Sequence, residues 1–135
     1  MNDAGPAAHP HTILVVEYQP PLRGLLTETL EAAGYLVAEA WNGVQAIEWL
    51  EQHAASADQL CLILLDMLLP YVSGLQVLEY LTAQGIQVAV IAISGHPDLL
   101  AAAASAGAPA TLAKPLELAD LLTLIGHYCP PPDTG

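Results

Sequence analysis

Short apolar runs alternate along the chain with longer stretches in which apolar residues recur every three or four positions. About five such pairs can be read. The short runs are Thr12 to Val16, Leu36 to Ala40, Leu60 to Leu65, Val88 to Ile93 and Ala110 to Leu112, several of them almost free of polar residues. A strand without a polar face is covered on both sides, which is the condition of a parallel sheet with helices above and below it. The longer stretches predict helices over Pro21 to Ala33, Gly43 to His53, Ser73 to Gln84, Pro97 to Ala106 and Leu116 to Tyr128. Gly34, Gly85 and Gly107 stand where helices would stop. Pro20-Pro21, Pro97 and Pro115 stand near predicted starts, where a missing amide hydrogen does little harm.

Strands alternating with helices define an α/β fold, doubly wound around a parallel sheet. Right-handed crossovers place helices on both faces, and such folds bind ligands beyond the carboxyl ends of their strands. The polar residues at those ends are Glu17 after the first strand, Asp66 after the third, Ser94 after the fourth and Lys114 after the fifth. Two acids, a hydroxyl and an ammonium are thus expected at one edge. An acid directly after a buried strand must surface or find a partner, because an unpaired buried ion costs several kcal/mol or more.

Composition narrows the picture. A chain of 135 residues, 54% hydrophobic and 12% charged, suits one domain with a real core and excludes a disordered polymer. The expected layout is a segment 1–11, a domain over 12–129 and a Pro-rich tail over 130–135. Fourteen acids against only Arg23 and Lys114 give a formal net charge of -12, which opposes nucleic-acid binding. No secretory signal is legible and the apolar runs are too short to span a membrane. Cys61 and Cys129 read as two free thiols in a reducing compartment, which predicts a cytoplasmic location. Trp41, Trp49 and Tyr80 are expected to cover the core or helix surfaces. No Gly-rich phosphate loop or metal-spaced Cys/His cluster occurs.

The combination of Ile13-Leu14-Val15-Val16-Glu17, Leu64-Leu65-Asp66-Met67-Leu68-Leu69-Pro70, Ser73-Gly74-Leu75, Ser94-Gly95 and Lys114-Pro115 resembles the response regulator receiver domain of the CheY-like superfamily. The resemblance runs from about Thr12 to about His127 and rests on the order and spacing of these motifs. It implies a flavodoxin-like (βα)5 fold with strand order 2-1-3-4-5. It also implies that Asp66 accepts a phosphoryl group from a histidine kinase or phosphotransfer protein, and that Lys114 and Ser94 contact the phosphoryl oxygens. Glu17, Asp66 and the backbone carbonyl of Leu68 match ligand positions for Mg²⁺. Leu68 and His96 match positions that set the lifetime of the phosphoryl group, and Thr111 matches an aromatic switch position.

Two departures matter. Tyr18 stands where the family has a second, metal-ligating acid, with Gln19 beside it, so a weakened Mg²⁺ site is expected. Thr111 lacks the ring of the family's switch residue. The leading expectation is a stand-alone receiver in a two-component phosphorelay, acting by protein contact and not as a turnover enzyme. The alternative is a pseudo-receiver, an interaction module that Tyr18 has taken out of phosphorylation. A phosphatase of the haloacid dehalogenase type would need an acid at position 68, which is Leu68. Leucines spread widely over the last helix, and with the Ala-rich helix before it they predict a homodimer through the last two helices. Pro21, Leu22, Leu25 and Leu26 resemble a kinase-docking surface.

Overall fold

The computed structural model describes residues 12–53 and 60–131. The segment 1–11 and residues 132–135 of the expected tail lie outside the described residues. The elements are β1 (Thr12–Val16), α1 (Pro20–Ala32), β2 (Leu36–Ala40), α2 (Gly43–His53), β3 (Leu60–Asp66), α3 (Gly74–Gln84), β4 (Ala89–Ser94), α4 (Pro97–Ser105), β5 (Ala110–Ala113) and α5 (Leu118–Tyr128). All five strands are parallel, in the order β2-β1-β3-β4-β5, as the resemblance implies.

The two-residue period of the strands explains why so few polar residues occur in them. Leu14, Val16, Ile63, Leu65, Val90 and Ala92 face one way, into a cluster closed by Ala46 and Leu50 of α2, Val77, Leu78 and Leu81 of α3, and Ala103 of α4. Their neighbours Ile13, Val15, Leu62, Leu64, Ile91 and Ile93 face the other way, against Leu26 and Leu30 of α1 and Leu121 and Ile125 of α5. Both faces are therefore core, and only the strand ends remain for chemistry.

Local signals place the helices. Pro20 and Pro21 open α1, and Pro97 opens α4. Ser73 caps α3 with a reciprocal box: its hydroxyl accepts from the Gln76 N–H at 3.2 Å, and the Gln76 side chain accepts from the Ser73 N–H at 2.9 Å. Gly85 then closes α3 at φ 68°, where a Cβ would be strained. Pro115 does not open a helix. Glu117 is extended and serves as the N-cap of α5, so Leu116 packs on the core before the helix begins.

One further expectation is corrected. The cysteines are not free: Cys61 of β3 and Cys129, just past α5, form a disulfide with 5.7 Å between their Cα atoms. The returning α5 brings its end under β3, a proximity that a sequence separation of 68 residues hides. Trp41, 53% exposed, lies over the Arg23 guanidinium of α1, on a helix surface and not in the core. Leu116, just before α5, and Leu118, Leu122 and Leu124 within it are half-buried against the core cluster, which leaves their outer edges exposed.

Tyr35 sits in the same cluster, and its hydroxyl donates to the Cys129 carbonyl at 2.5 Å. Burial raises its pKa above the ordinary 10.0. The fold thus favours the neutral phenol; that contribution is complete below about pH 10 and is lost as pH rises through the folded-state value. Tyr35→Phe is expected to cost about 1 kcal/mol at neutral pH. Its stability should also fall less steeply than the parent's in alkaline denaturant titrations.

Among the described residues no helix is long and apolar enough to cross a membrane.

Candidate functional site

The carboxyl ends of β1, β3, β4 and β5 converge on an open cavity of about 560 Å³. Glu17, Tyr18, Gln19, Asp66, Leu68, Ser94, His96 and Lys114 are among its lining residues. The four residues expected at the strand ends are all there. Thr111 is not: it lies half-buried within β5, paired in register with Ala92.

Asp66 ends β3 and is buried, yet each oxygen has a partner. Oδ1 accepts from the Leu68 N–H at 3.0 Å and Oδ2 lies 3.0 Å from Lys114 Nζ. Lys114 also reaches Glu17 Oε1 at 3.3 Å, while Glu17 Oε2 accepts from the Gln19 N–H at 3.1 Å. One ammonium therefore spans two buried carboxylates. The Ser94 hydroxyl oxygen accepts from the His96 N–H at 3.0 Å, which leaves its own proton free to donate into the cavity.

The charges follow from this crowding. Burial first, and then the charge of Asp66, push the Glu17 carboxyl above its ordinary pKa against the pull of the Gln19 N–H and Lys114. Burial opposes the Lys114 charge as well, but the hydrogen bond and charge of Asp66, joined by Glu17, outweigh it and raise the ammonium's pKa. Lys114 is thus held charged at neutral pH between two acids that repel each other.

The loop after Asp66 is shaped by close backbone approach. A Cβ on Gly74 would stand 2.6 Å from Met67 Cα and 2.9 Å from the Asp66 carbonyl oxygen, which is why the Ser73-Gly74 pair follows the acceptor at this distance. Gly74→Ala is expected to destabilise the fold by about 1–3 kcal/mol, read by denaturant unfolding, because Met67 Cα and the Asp66 carbonyl oxygen are backbone atoms that cannot swing aside as the Met67 side chain can. In the same loop Tyr71 has φ 69° and is 84% exposed. No sequence signal pointed to a tyrosine in that left-handed region.

Glu17 and Asp66 supply hard oxygen ligands at one cavity, which suits Mg²⁺. A third acidic partner is lacking: among the described residues no group of three His, Cys, Asp or Glu side chains could hold a metal. Tyr18 presents a phenol in its place, 55% exposed. The residues fit Mg²⁺ as a two-carboxylate site whose remaining positions fall to water and the backbone.

A doubly wound five-stranded sheet with an acid, a hydroxyl and a lysine at its carboxyl edge defines a receiver-type protein. The sequence model of the response regulator receiver domain matches residues 13–126, and the chain belongs to that family. It is 28% identical over 120 residues to sporulation initiation phosphotransferase F of Bacillus subtilis, covering 87% of this chain and 93% of that protein. It is 31% identical over 121 residues to the transcriptional regulatory protein PdtaR of Mycobacterium tuberculosis, covering 88% of this chain but only 57% of that regulator. A response regulator receiver domain protein from Clostridium thermocellum superposes with a TM-score of 0.78 at 25% identity, covering 87% of this chain and 92% of that one. A CheY-like receiver domain protein from Methanospirillum hungatei gives 0.77 at 25% identity, covering 87% and 92%. The chain is thus a receiver domain of two-component response regulators, and such domains are regulatory phosphoacceptors.

Proposed function

We propose that Asp66 accepts a phosphoryl group from a histidine kinase or phosphotransfer protein, and that the phosphorylated chain signals by protein contact. The observation that carries this reading is the Lys114 ammonium 3.0 Å from Asp66 Oδ2, inside a cavity that also holds Glu17 and Ser94. An Asp66 oxygen forms the new bond to phosphorus as the bond from phosphorus to the donor imidazole nitrogen breaks. The electron pair leaves with the imidazole, which takes up a proton. Such a transition state needs positioning and positive charge more than covalent help.

Each residue has a part in this reading. Lys114 neutralises one equatorial oxygen, and the Ser94 hydroxyl donates to another. Glu17, Asp66 and the Leu68 carbonyl would hold Mg²⁺, which when bound adds positive charge beside the phosphoryl oxygens. The Leu68 side chain, exposed at the cavity mouth, shields the acyl phosphate from water, and His96 lies where it can orient or exclude that water. Any switching must pass through Thr111 without a rotating ring. On α1, Leu25 is exposed and Leu22 half-buried, which leaves part of the proposed kinase-docking face available, whereas Leu26 belongs to the core. A homodimer through α4 and α5 remains a proposal resting on the half-exposed rims of those helices.

The pseudo-receiver reading is favoured by one observation, the exposed Tyr18 in place of a metal-ligating acid. The two readings part on Asp66. With a small-molecule phosphodonor and Mg²⁺, the intact mass of the parent chain should gain one phosphoryl group and Asp66→Asn none. An adduct of equal yield in Asp66→Asn would remove Asp66 from the acceptor role.

A further inference from the structure

The chain has two basic side chains, and both meet the same site. Lys114 approaches the carboxylates from the cavity; Arg23 approaches the loop from behind. Arg23 lies in the first turns of α1 and is only 8% exposed, a degree of burial that arginine tolerates only when paired. Its Nη1 donates to the carbonyl oxygens of Glu17 at 2.9 Å and Tyr18 at 3.1 Å. The guanidinium carbon lies 4.8 Å from the centre of the Trp41 ring, and Nε is 3.9 Å from Glu39 Oε1. Glu39 is held in turn by the Thr27 hydroxyl, which donates to Oε2 at 2.5 Å.

These contacts fix the backbone of the two residues whose side chains decide how the site meets a cation. The Glu17 N–H donates to the Ala40 carbonyl at 3.1 Å, so the sheet holds one side of that residue and Arg23 the other. The Glu17 carboxylate is then left in reach of both the Gln19 N–H and Lys114. Arg23 touches no reacting atom. Its guanidinium gives Nη1 to both carbonyls, turns Nε toward Glu39 and lies over the indole, a combination of contacts that a single ammonium cannot reproduce.

We propose that Arg23 is the positioning residue of the acceptor site, locking the Glu17-Tyr18 backbone so that the Glu17 carboxylate faces Lys114 and Asp66, with Glu39 and Trp41 holding Arg23 in place. The proposal rests on the reading of Asp66 as phosphoacceptor and adds a residue that reading does not contain. It couples the outer end of β2 to the pocket, because Glu39 is in that strand and Trp41 follows it.

The test compares the parent with Arg23→Gln, Arg23→Lys and Glu39→Gln in three measurements. In metal-free protein, exchange of the Gln19 amide, which donates to Glu17, should accelerate about tenfold or more in Arg23→Gln. In Mg²⁺ titrations by calorimetry without a phosphodonor, affinity should fall about tenfold, the loss expected when a supporting partner of a ligand is removed. Arg23→Lys should lie between. In phosphodonor assays the half-saturating Mg²⁺ concentration should rise while the limiting rate stays within about threefold. If Arg23→Gln does not fold, Glu39→Gln and Arg23→Lys decide by the same readings with smaller shifts. Unchanged Gln19 exchange and unchanged Mg²⁺ affinity in folded variants overturn the role of Arg23 alone. A parent chain that forms no adduct while the exchange effect persists overturns the phosphoacceptor reading instead.

Discussion

Reduction of the Cys61–Cys129 bond is expected to lower the unfolding free energy by about 4 kcal/mol, a shift of roughly a thousandfold in the folding equilibrium. The two residues are 68 apart in sequence, so the bond removes a long loop's worth of freedom from the unfolded chain. The folded state has little to lose in return, since Cys129 is already buried beside Tyr35, Leu121 and Ile125. Denaturant titrations with and without a thiol reductant measure the difference, and a Cys61→Ala, Cys129→Ala variant should be indifferent to the reductant. Equal midpoints for the parent in both conditions would show that the thiols are unpaired in solution. In a glutathione-poised cytoplasm the reduced form is the reference, so the parent should work there with the smaller margin.

Tyr18→Asp is expected to raise Mg²⁺ affinity about tenfold or more, with little change in stability. Arg23 and the sheet hold the backbone on either side of this position, and the phenol is more than half exposed, so the replacement disturbs no packing. It adds a third carboxylate to Glu17 and Asp66. Calorimetric titration of the metal-free proteins reads the gain, and equal affinities would mean that position 18 does not face the bound cation.

Much of this was legible in the residues because the strands carry so little ambiguity. β1 and β2 occupy the residues expected of them, since runs such as Thr12–Val16 end abruptly at a charge or a turn. Asp66 and Lys114 were legible for the same reason: each interrupts an apolar context where an isolated charge is costly. The start of α5 was misplaced by two residues because Pro115 fits a helix entry as well as it fits the turn it occupies. Arg23 was passed over; its only signal was rarity, and its burial depends on where β2 brings Glu39 and Trp41. The disulfide was missed because two cysteines on separate elements say nothing of distance until the sheet order is known. Tyr71 lacked any signal, as nothing about a tyrosine after a proline announces φ above zero.

The intact mass of the parent chain, followed with a small-molecule phosphodonor over a wide range of Mg²⁺ concentrations, tests the central claim most directly. A Mg²⁺-dependent phosphoryl adduct, saturating only at high Mg²⁺ and at lower Mg²⁺ in Tyr18→Asp, is the predicted result. No adduct at any Mg²⁺ concentration, with Tyr18→Asp restoring one, would contradict it and make the chain a pseudo-receiver.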